Sequence, residues 1–553
     1  MLNRLTHCAI VVLGAQAAAL TQAATLAPLG SYDVQVLVPP SAMHAVEGIF
    51  LDDTGRLLGT SIHGQRVYQI DLQSGAVSVL IDSPHGESDD VAVGPTGTPA
   101  AGIVAWTAQR SGEIRARRPG GQPQVLMRNV PRVNPIAFNA AGRLFTAQVG
   151  AGDDTLWELD PLAAKPPRRV ASGQGRLNGF AFGPDGRLYA PQFGTDRLLA
   201  IDIESGARMI IATGLGAPAA VKVAPNGAVF SVDYLNGDLW RTVPATGQST
   251  KLTNLPAPLD SLALLQDGRI ILSSAADSSL LVFDPVSGAQ QTLVRGWFTL
   301  PLGMALVDVA HRPSLLVADP FGYRFVDTAT GAVTRPPWAG NRGASTAVAA
   351  SAQRIVLANG PAARLRAIDR TTDQVVWDSS ALKNPRGLVL LGDGTALVAD
   401  VASGELLLLG GAGVRVAASG LQQPVAVIEE RPRVLLVSEF AAGRIQRVDL
   451  ESGSQQMVAE GLDRPTGLAR LPDGRLAVVE ASAGRVVAID LKTKQRTVLA
   501  SRLPLSLDGL DLPPDSLAGI VVDAAGAVYL TCPGDNSIRV LRPARASKNR
   551  GRT

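Results

Sequence analysis

Hydrophobic and polar positions alternate over short stretches of this chain, in a block that recurs along almost its whole length. In residues 175–206 an apolar run leads to Asp185-Gly186, then come a second and a third apolar stretch, and the third ends at Asp202 before Ser205-Gly206. Alternation over a few residues predicts half-buried strands, and Asp-Gly dipeptides tolerate the positive φ of tight hairpin turns. Each block therefore predicts four antiparallel strands, the outermost of which is polar.

Twelve copies of this block follow one another at intervals of about 43 residues. A period of 40–50 residues built from short strands is typical of β-propeller blades. We expect an all-β protein with two six-bladed β-propellers in tandem, since a single ring of twelve would leave a channel too wide to fill. Aligned on the position of Gly179, the twelve anchor residues are Gly48, Asp90, Pro135, Gly179, Ala220, Ser261, Gly303, Thr346, Gly387, Ala426, Gly467 and Gly519.

The limits of the two propellers depend on how each ring closes. The twelfth copy lacks a fourth strand, and an unassigned strand over residues 32–38 precedes the first copy. We expect this strand to complete blade six and to free residues 290–294 for blade twelve, which predicts domains 32–287 and 288–543. In the alternative, residues 32–38 pair directly with blade twelve and join the two halves.

The N-terminal segment indicates export. Arg4 precedes the apolar stretch 9–20, and Thr21-Gln22-Ala23 offers small residues for cleavage, so residues 1–23 are interpreted as a secretory signal and the protein as periplasmic or secreted. The apolar stretch is too short for a stable transmembrane anchor. Residues 544–553 are predicted to be a solvated basic tail. The net charge of +3, without a basic stripe, argues against a nucleic-acid partner.

The residue before each anchor opens an innermost strand, and in a propeller these residues meet at one end of the central channel. The two halves differ sharply in this ring. The first six positions are Glu47, Asp89, Asn134, Asn178, Ala219 and Asp260, and the second six are Leu302, Ser345, Arg386, Val425, Thr466 and Ala518.

Three carboxylates and two carboxamides surround one channel mouth, and the carboxylates would repel one another unless something compensates their charge. A hard divalent cation such as Ca²⁺ takes six to eight oxygen ligands of these kinds, so Glu47, Asn134, Asn178 and Asp260 are candidate metal ligands. The alternative is a water-filled channel lined by solvated polar groups. The second ring contains no carboxylate and predicts no metal.

Residues 32–295 resemble the six-bladed calcium propellers of the gluconolactonase, regucalcin, paraoxonase and diisopropyl fluorophosphatase group. Glu47 in Val46-Glu47-Gly48 resembles the first-blade Glu, and Asn134 and Asn178 resemble the third- and fourth-blade Asn residues. Arg132-Val133-Asn134 resembles the Arg-x-Asn of the gluconolactonase branch, which implies that Arg132 contacts substrate. The chain departs from the family at blade five, where Ala219-Ala220 replaces the family's Asp.

The resemblance implies a calcium-dependent hydrolase of a small lactone or ester, in which water attacks the carbonyl with the help of a general base. His44, His63 and His85 fall in loops on the face that carries Glu47, and Asp89 is an alternative base if it is not a ligand. The competing interpretation is a non-catalytic propeller with NHL-like repeats that binds a protein, peptide or glycan. A lyase acting on a polymer or cyclic ester is a further possibility.

Arg386 is the exception in the otherwise apolar or weakly polar second ring. It either pairs with a neighbouring carboxylate or carbonyl, or binds an anionic group of a ligand through its planar fork. The second propeller is therefore expected to be structural or recognitional.

Overall fold

The computed structural model describes residues 32–150, 152, 154–336, 343–410, 413–506 and 518–544. These residues form 48 strands, and no helix among them has the length and apolarity needed to cross a bilayer. The predicted signal segment and nearly all of the predicted basic tail lie outside the described residues.

The strands associate into twelve four-stranded antiparallel sheets. The first strand of the chain is β1 (Tyr32–Val38). Blades one to three comprise β2 (Ile49–Leu51), β3 (Leu57–Ser61), β4 (Arg66–Ile70), β5 (Val77–Ile81), β6 (Val91–Val93), β7 (Val104–Ala108), β8 (Glu113–Arg117), β9 (Gln124–Met127), β10 (Val133–Phe138), β11 (Leu144–Gln148), β12 (Leu156–Leu159) and β13 (Arg168–Ala171). Blades four to six comprise β14 (Ala181–Phe182), β15 (Leu188–Gln192), β16 (Arg197–Ile201), β17 (Arg208–Ala212), β18 (Pro218–Val223), β19 (Val229–Asp233), β20 (Asp238–Val243), β21 (Gln248–Asn254), β22 (Leu262–Leu264), β23 (Ile270–Ser274), β24 (Ser279–Phe283) and β25 (Gln290–Val294).

The second half repeats the same plan. Blades seven to nine comprise β26 (Met304–Val309), β27 (Arg312–Asp319), β28 (Gly322–Asp327), β29 (Val333–Thr334), β30 (Ala347–Ala350), β31 (Arg354–Asn359), β32 (Arg364–Asp369), β33 (Val375–Ser379), β34 (Pro385–Leu390), β35 (Ala396–Asp400), β36 (Glu405–Gly410) and β37 (Gly413–Ala418). Blades ten to twelve comprise β38 (Pro424–Arg431), β39 (Val434–Glu439), β40 (Arg444–Asp449), β41 (Gln455–Ala459), β42 (Pro465–Arg470), β43 (Leu476–Glu480), β44 (Arg485–Ile489), β45 (Arg496–Ala500), β46 (Ile520–Val522), β47 (Val528–Cys532) and β48 (Ser537–Pro543).

The twelve blades form two closed rings of six, as predicted. The innermost strand of blade one contacts that of blade six, and the innermost strand of blade seven contacts that of blade twelve. Hydrogen bonds close both rings, because Ser273 Oγ donates to the Glu47 carbonyl at 2.6 Å and Thr531 Oγ1 donates to the Leu302 carbonyl at 2.8 Å. The protein is therefore all-β, with two six-bladed β-propellers in tandem.

The predicted exchange of closing strands is wrong. β25 completes its own blade six, where Leu280 pairs with Val294, and β1 pairs with β48, where Tyr32 faces Pro543. A short turn joins β24 to β25, so this pairing closes a much smaller loop than an exchange between propellers would. The domain boundary near residue 287 stays a prediction. The strand pairing assigns β25 to the first ring and β1 to the second.

Glycine at the anchor positions is explained by the close approach of neighbouring blades. A Cβ built on Gly387 would lie 2.9 Å from the Cα of Ala426 in blade ten, and one built on Gly179 would lie 2.6 Å from the Cβ of Ala220. The anchors thus set how tightly the innermost strands pack around the channel. The cores lie between blades, and one of them joins Met304 and Leu315 of blade seven to Tyr529 of blade twelve.

Substitution of Gly387 by Ala is expected to lower the free energy of unfolding by about 1–3 kcal/mol, because the new methyl group meets backbone and core atoms of the next blade. Gly392 in the same blade provides a matched control, since a Cβ there has no atom within 4 Å. Gly392→Ala should be neutral or stabilising by about 0.4–1 kcal/mol. Chemical denaturation of both variants measures the difference, and equal stabilities would contradict this packing explanation.

The two propellers meet at a buried junction built from the segments that pass between them. Asn536 Nδ2 donates to the carbonyls of Met43 at 3.0 Å and Phe298 at 3.2 Å, and Ser278 Oγ also donates to Phe298 O at 2.7 Å. These bonds join loops of blades six and twelve to both connecting segments. As a result, the channel mouth that carries Glu47 lies beside the corresponding face of the second propeller.

Candidate functional site

The candidate site is the mouth of the first channel, where the strand pairing brings the predicted ring together. The Gly48 amide donates to the Asp89 carbonyl at 3.0 Å, linking blades one and two. Thr107 Oγ1 donates to the Asn134 carbonyl at 2.7 Å, linking blades two and three. Together with the bond from Ser273 to Glu47, these contacts place the acidic residues of blades six, one and two next to one another.

Three carboxylates share this mouth. Glu47 and Asp89 are buried and Asp260 is half-buried. Burial raises the pKa of Glu47 well above its usual range, and the negative charges of Asp89 and Asp260 raise it further. Burial, followed by the charge of Asp260, likewise raises the pKa of Asp89. Burial and then Asp90 raise the pKa of Asp260 to about 7.

The hydrogen bonds to these carboxylates are few. Asp89 Oδ2 accepts from Gln109 Nε2 and, at 2.8 Å, from Asn134 Nδ2. Glu47 Oε2 accepts from the Ile62 amide at 3.2 Å. Within the described ranges no Lys or Arg forms an ion pair with Glu47, Asp89 or Asp260, and the charge of Arg110 offsets only part of the rise in the pKa of Glu47.

The two carboxamides differ in their surroundings. Asn134 turns its amide nitrogen towards Asp89, whereas Asn178 Oδ1 accepts from the amide of Gly179 at 2.9 Å. Asn178 is buried, and the intervening blade-five position is the buried Ala219. The ring therefore carries no acidic side chain at blade five, and Asp260 holds the next ring position, in blade six.

A fourth acid, Asp90, lies one residue deeper in the channel, at the anchor of blade two. Asp90 is buried and accepts hydrogen bonds from the amides of Val91 at 2.9 Å and Ile136 at 3.3 Å. Its charge raises the pKa of Lys222 against the larger lowering effect of burial, and the Lys222 ammonium lies 5.7 Å from the ring centre of Phe50. Asp90 and Lys222 thus interact electrostatically below the mouth of the first channel. Neither residue stands directly before an anchor, so this interaction was not predicted from the ring positions.

The predicted histidine bases lie in three different environments. His44 is buried at the junction, where its Nε2 donates to the Pro533 carbonyl at 2.8 Å, and burial lowers its pKa to about 4. His63 accepts from Arg110 Nη2 at 3.3 Å through Nδ1, and burial, Arg110 and His44 lower its pKa to about 3. His85 is exposed. The lowered pKa values make His44 and His63 weaker bases near pH 7, and one ring nitrogen of each is engaged in a hydrogen bond.

The contribution of His44 to the free energy of unfolding is expected to fall as the pH is lowered from 6.5 to 4, because burial lowers its pKa from about 6.5 in the unfolded chain to about 4 in the folded protein. At this residue the unfolded state binds more protons in that range, which costs the folded state up to about 3 kcal/mol. The raised pKa values of Glu47, Asp89 and Asp260 act in the opposite direction, so the wild type is compared with His44→Gln, which keeps a donor for Pro533. Denaturant titrations at several pH values should show the wild type losing stability relative to His44→Gln as the pH falls, and a constant difference would contradict the assignment.

Arg132, the predicted substrate contact, is exposed and has a φ of 54°. Arg176, which was not predicted, occupies the equivalent position one blade later. Arg176-Leu177-Asn178 repeats the spacing of Arg132-Val133-Asn134 one blade later, and Arg176 has a φ of 58°. The recurrence of Arg-x-Asn in consecutive blades is a signal that could have identified it.

An aromatic wall extends from Arg176 across blades four and five. The Arg176 guanidinium lies 5.4 Å from the centre of the Phe193 ring, and Phe193 meets Tyr234 edge-on at 5.9 Å. Burial strongly raises the pKa of Tyr234, and so do the charges of Asp260, Glu47 and Asp89, which shows that its phenol lies in the field of the carboxylates. Phe193 and Tyr234 carry no sequence motif and were not predicted.

Other buried acids hold the loops that lead into the channels and belong to the scaffold. Asp233 Oδ1 accepts from the amides of Ala217 at 3.2 Å and Leu235 at 2.9 Å. Asp400 in the second propeller accepts from Lys383 and Asn384 in the same way. Both acids end the second strand of their blade, so their role is to fix the loop before the innermost strand.

The free Cys532 thiol is buried, and burial raises its pKa to about 12, so it is not a nucleophile.

In the second propeller all six ring positions are buried. The hydroxyls of Ser345 and Thr466 donate to the carbonyls of Gly322 and Ala518 at 3.1 and 3.3 Å. Arg386 is 3% exposed, and its guanidinium packs against Gly360, where a Cβ would lie 2.4 Å from the Arg386 Cζ. The contrast predicted between an acidic first mouth and a largely apolar second ring is present in the structure.

The first mouth combines carboxylate and carboxamide side chains, which are the oxygen donors that a hard cation prefers. In the part of the chain that the structure describes, no three His, Cys, Asp or Glu side chains are arranged to hold a metal ion by themselves. The Glu, Asn, Asn and Asp set implied by the family resemblance contains only two carboxylates. Glu47, Asn134, Asn178 and Asp260 supply this set, with Asp260 one blade away from the family position.

Comparison with known proteins gives one family model and several solved structures of low similarity. No curated protein matches this chain. A family model described as outer membrane protein assembly factor BamB matches residues 254–497. A gluconolactonase from Xanthomonas campestris, described as important in glucose secondary metabolic pathways, is 20% identical over 44% of this chain and 88% of its own, with a TM-score of 0.36.

Two further solved structures give similar figures. A structural-genomics target described as a gluconolactonase candidate is 14% identical over 48% of this chain and 94% of its own, with a TM-score of 0.37. A chain of a nidogen–laminin complex is 18% identical over 37% of this chain and 79% of its own, with a TM-score of 0.34. The propeller architecture itself is established by the strand pairing of this chain.

Proposed function

We propose that the first propeller is a metal-dependent hydrolase of small lactones or esters. The observation that carries the proposal is the cluster of Glu47, Asp89 and Asp260 at one channel mouth, without a lysine or arginine ion pair among the described residues. Like charges this close favour an added cation. The acids of the scaffold, by contrast, are satisfied by backbone amides and need none.

Glu47, Asn134, Asn178 and Asp260 would hold the ion, and Ca²⁺ fits an all-oxygen set of this kind. When bound, such an ion polarises a substrate carbonyl as a Lewis acid. Ala219 leaves the blade-five side of the mouth open, next to the wall formed by Phe193 and Tyr234. The acyl or ring part of a substrate would lie in this space.

Asp89 is the general base in this proposal, since His44 and His63 are engaged elsewhere. Gln109 and Asn134 both donate to its Oδ2 and thereby orient the carboxylate. Asp89 would accept a proton from water as the water oxygen bonds to the carbonyl carbon. The carbon–oxygen bond to the leaving alcohol then breaks, and the alkoxide recovers the proton from Asp89.

The proposal is tested by metal analysis of the purified protein, followed by assays on a panel of lactones and aryl esters with and without a chelator. We expect about one divalent ion per chain, with chelator-sensitive hydrolysis restored by Ca²⁺. Protein with full metal content that hydrolyses no member of the panel would overturn the hydrolase proposal and leave a metal-binding propeller.

A second candidate is a protein-binding role for residues 254–497, favoured by their match to a family described as an outer membrane protein assembly factor. Here the propellers would be recognition modules that bind a protein, peptide or glycan. Pull-down with wild-type protein, compared with Glu47→Gln, separates the two candidate functions, because only hydrolysis needs the first mouth.

Residues 1–23 are proposed to direct the chain to the periplasm or the medium. Cell fractionation with mass-spectrometric sequencing of the mature N-terminus tests this proposal.

A further inference from the structure

The channel of the second propeller contains a cavity of about 490 Å³. It is lined by the innermost strands of all six blades, and most of the lining is aliphatic, including Met304, Ala349, Leu388, Ile428 and Ile520. A cavity of this size is in the range of small-molecule sites. A channel with such walls is a poor host for water, because water needs two or more polar partners to be stable.

The first channel carries charged side chains below its mouth. There Asp90 interacts electrostatically with Lys222, whose ammonium lies 5.7 Å from the ring centre of Phe50. In the second propeller the position equivalent to Asp90 is Thr346, whose hydroxyl donates to the Ala358 carbonyl at 3.1 Å. The two rings share a backbone plan, so the open apolar channel results from the side chains of this half.

The two ends of the cavity differ. At one end lie four buried ring positions, namely Arg386, which is 3% exposed, Val425, Thr466 and Ala518. At the other end Leu306 is 37% exposed and Arg470 reaches solvent, where it pairs with Glu430 at 3.5 Å. The lining is therefore buried at the Arg386 end and reaches solvent at the Arg470 end.

We propose that this channel binds an amphipathic monocarboxylate, such as a medium-chain fatty acid, with its alkyl chain along the aliphatic walls and its carboxylate at Arg386. A charge-assisted hydrogen bond to a guanidinium is stronger in a buried site than at the surface. Burial therefore favours Arg386 over the exposed Arg470 as the partner of the headgroup. Gly360 leaves the space that positions the guanidinium, since any side chain there would displace it.

Calorimetric titration of the full-length protein with dodecanoate, dodecan-1-ol and dodecyltrimethylammonium tests the proposal. We expect one dodecanoate per chain, weaker binding of the alcohol and no binding of the cation. Arg386→Met should weaken dodecanoate at least tenfold and leave the alcohol unchanged, whereas the matched Arg470→Met should change neither. Arg386→Lys, which keeps the charge, should retain dodecanoate binding within a few-fold.

Ala349→Phe provides a second, charge-independent test, because Ala349 lines the cavity and belongs to none of the core clusters between blades. It should weaken dodecanoate and dodecanol together. The proposal is overturned if wild-type protein binds neither probe, if Ala349→Phe binds both normally, or if Arg470→Met has the effect expected of Arg386→Met. The readout is independent of metal and hydrolysis, so it does not depend on the proposed function.

Discussion

Deletion of residues 32–38 is expected to destabilise the second propeller by several kcal/mol and to leave the first propeller folded. β1 is the outermost strand of blade twelve, and its Val38 is fully buried against Phe298 and Ile538. Full burial of an aliphatic side chain is worth about 1.5–3 kcal/mol, and the deletion also removes the strand partners of β48. Hydrogen exchange should show loss of protection in β47 and β48 while β11 and β15 retain theirs.

The double variant Val34→Thr and Val36→Thr is the control for this deletion. Both side chains are largely exposed, at 43% and 52%, so the strand should remain paired and the stability nearly unchanged. Loss of protection in β24 and β25 upon deletion, with β48 unaffected, would show that residues 32–38 complete blade six in solution. That outcome would restore the exchanged closure and contradict the strand order described here.

Substitution of Glu47 by Gln is expected to abolish stoichiometric metal binding and to lower hydrolytic kcat/KM by at least about 100-fold, if the first mouth is the proposed centre. The same substitution removes one of three neighbouring negative charges. In the presence of chelator at pH 8 the variant should therefore be at least as stable as the wild type. Loss of function without loss of stability is typical of a binding residue and not of a scaffold residue.

Asp233→Asn is the matched control, because Asp233 is a buried acid of the same propeller that only holds a loop. It should lower the melting temperature and keep the metal stoichiometry. Asp260→Asn should lower metal affinity less than Glu47→Gln if the family pattern holds. A larger effect at Asp260 would mean that blade six has replaced the missing blade-five ligand. Unchanged metal content in both variants would exclude this mouth as the metal site.

The candidate site was predictable in outline because the blade repeat fixes which residues face the channel. Glu47, Asp89 and Asp260 follow from counting one residue before each anchor, and the structure brings them together. Asp90 and Lys222 were not predictable in this way, since their electrostatic interaction joins blades two and five. Tyr234 likewise lies in a loop whose direction depends on the packing of two neighbouring blades.

The amino-acid sequence by itself determined the number of blades, the four-strand plan and the division into two rings. Hairpin turns, alternation and the 43-residue period are local features, so the residues within each blade carry them. Only the tertiary structure decided that β1 pairs with β48, and that His44 bonds to Pro533 at the junction instead of facing the channel. These are contacts between residues hundreds of positions apart. They depend on which edges and buried groups meet when both rings close, and no local pattern encodes that choice.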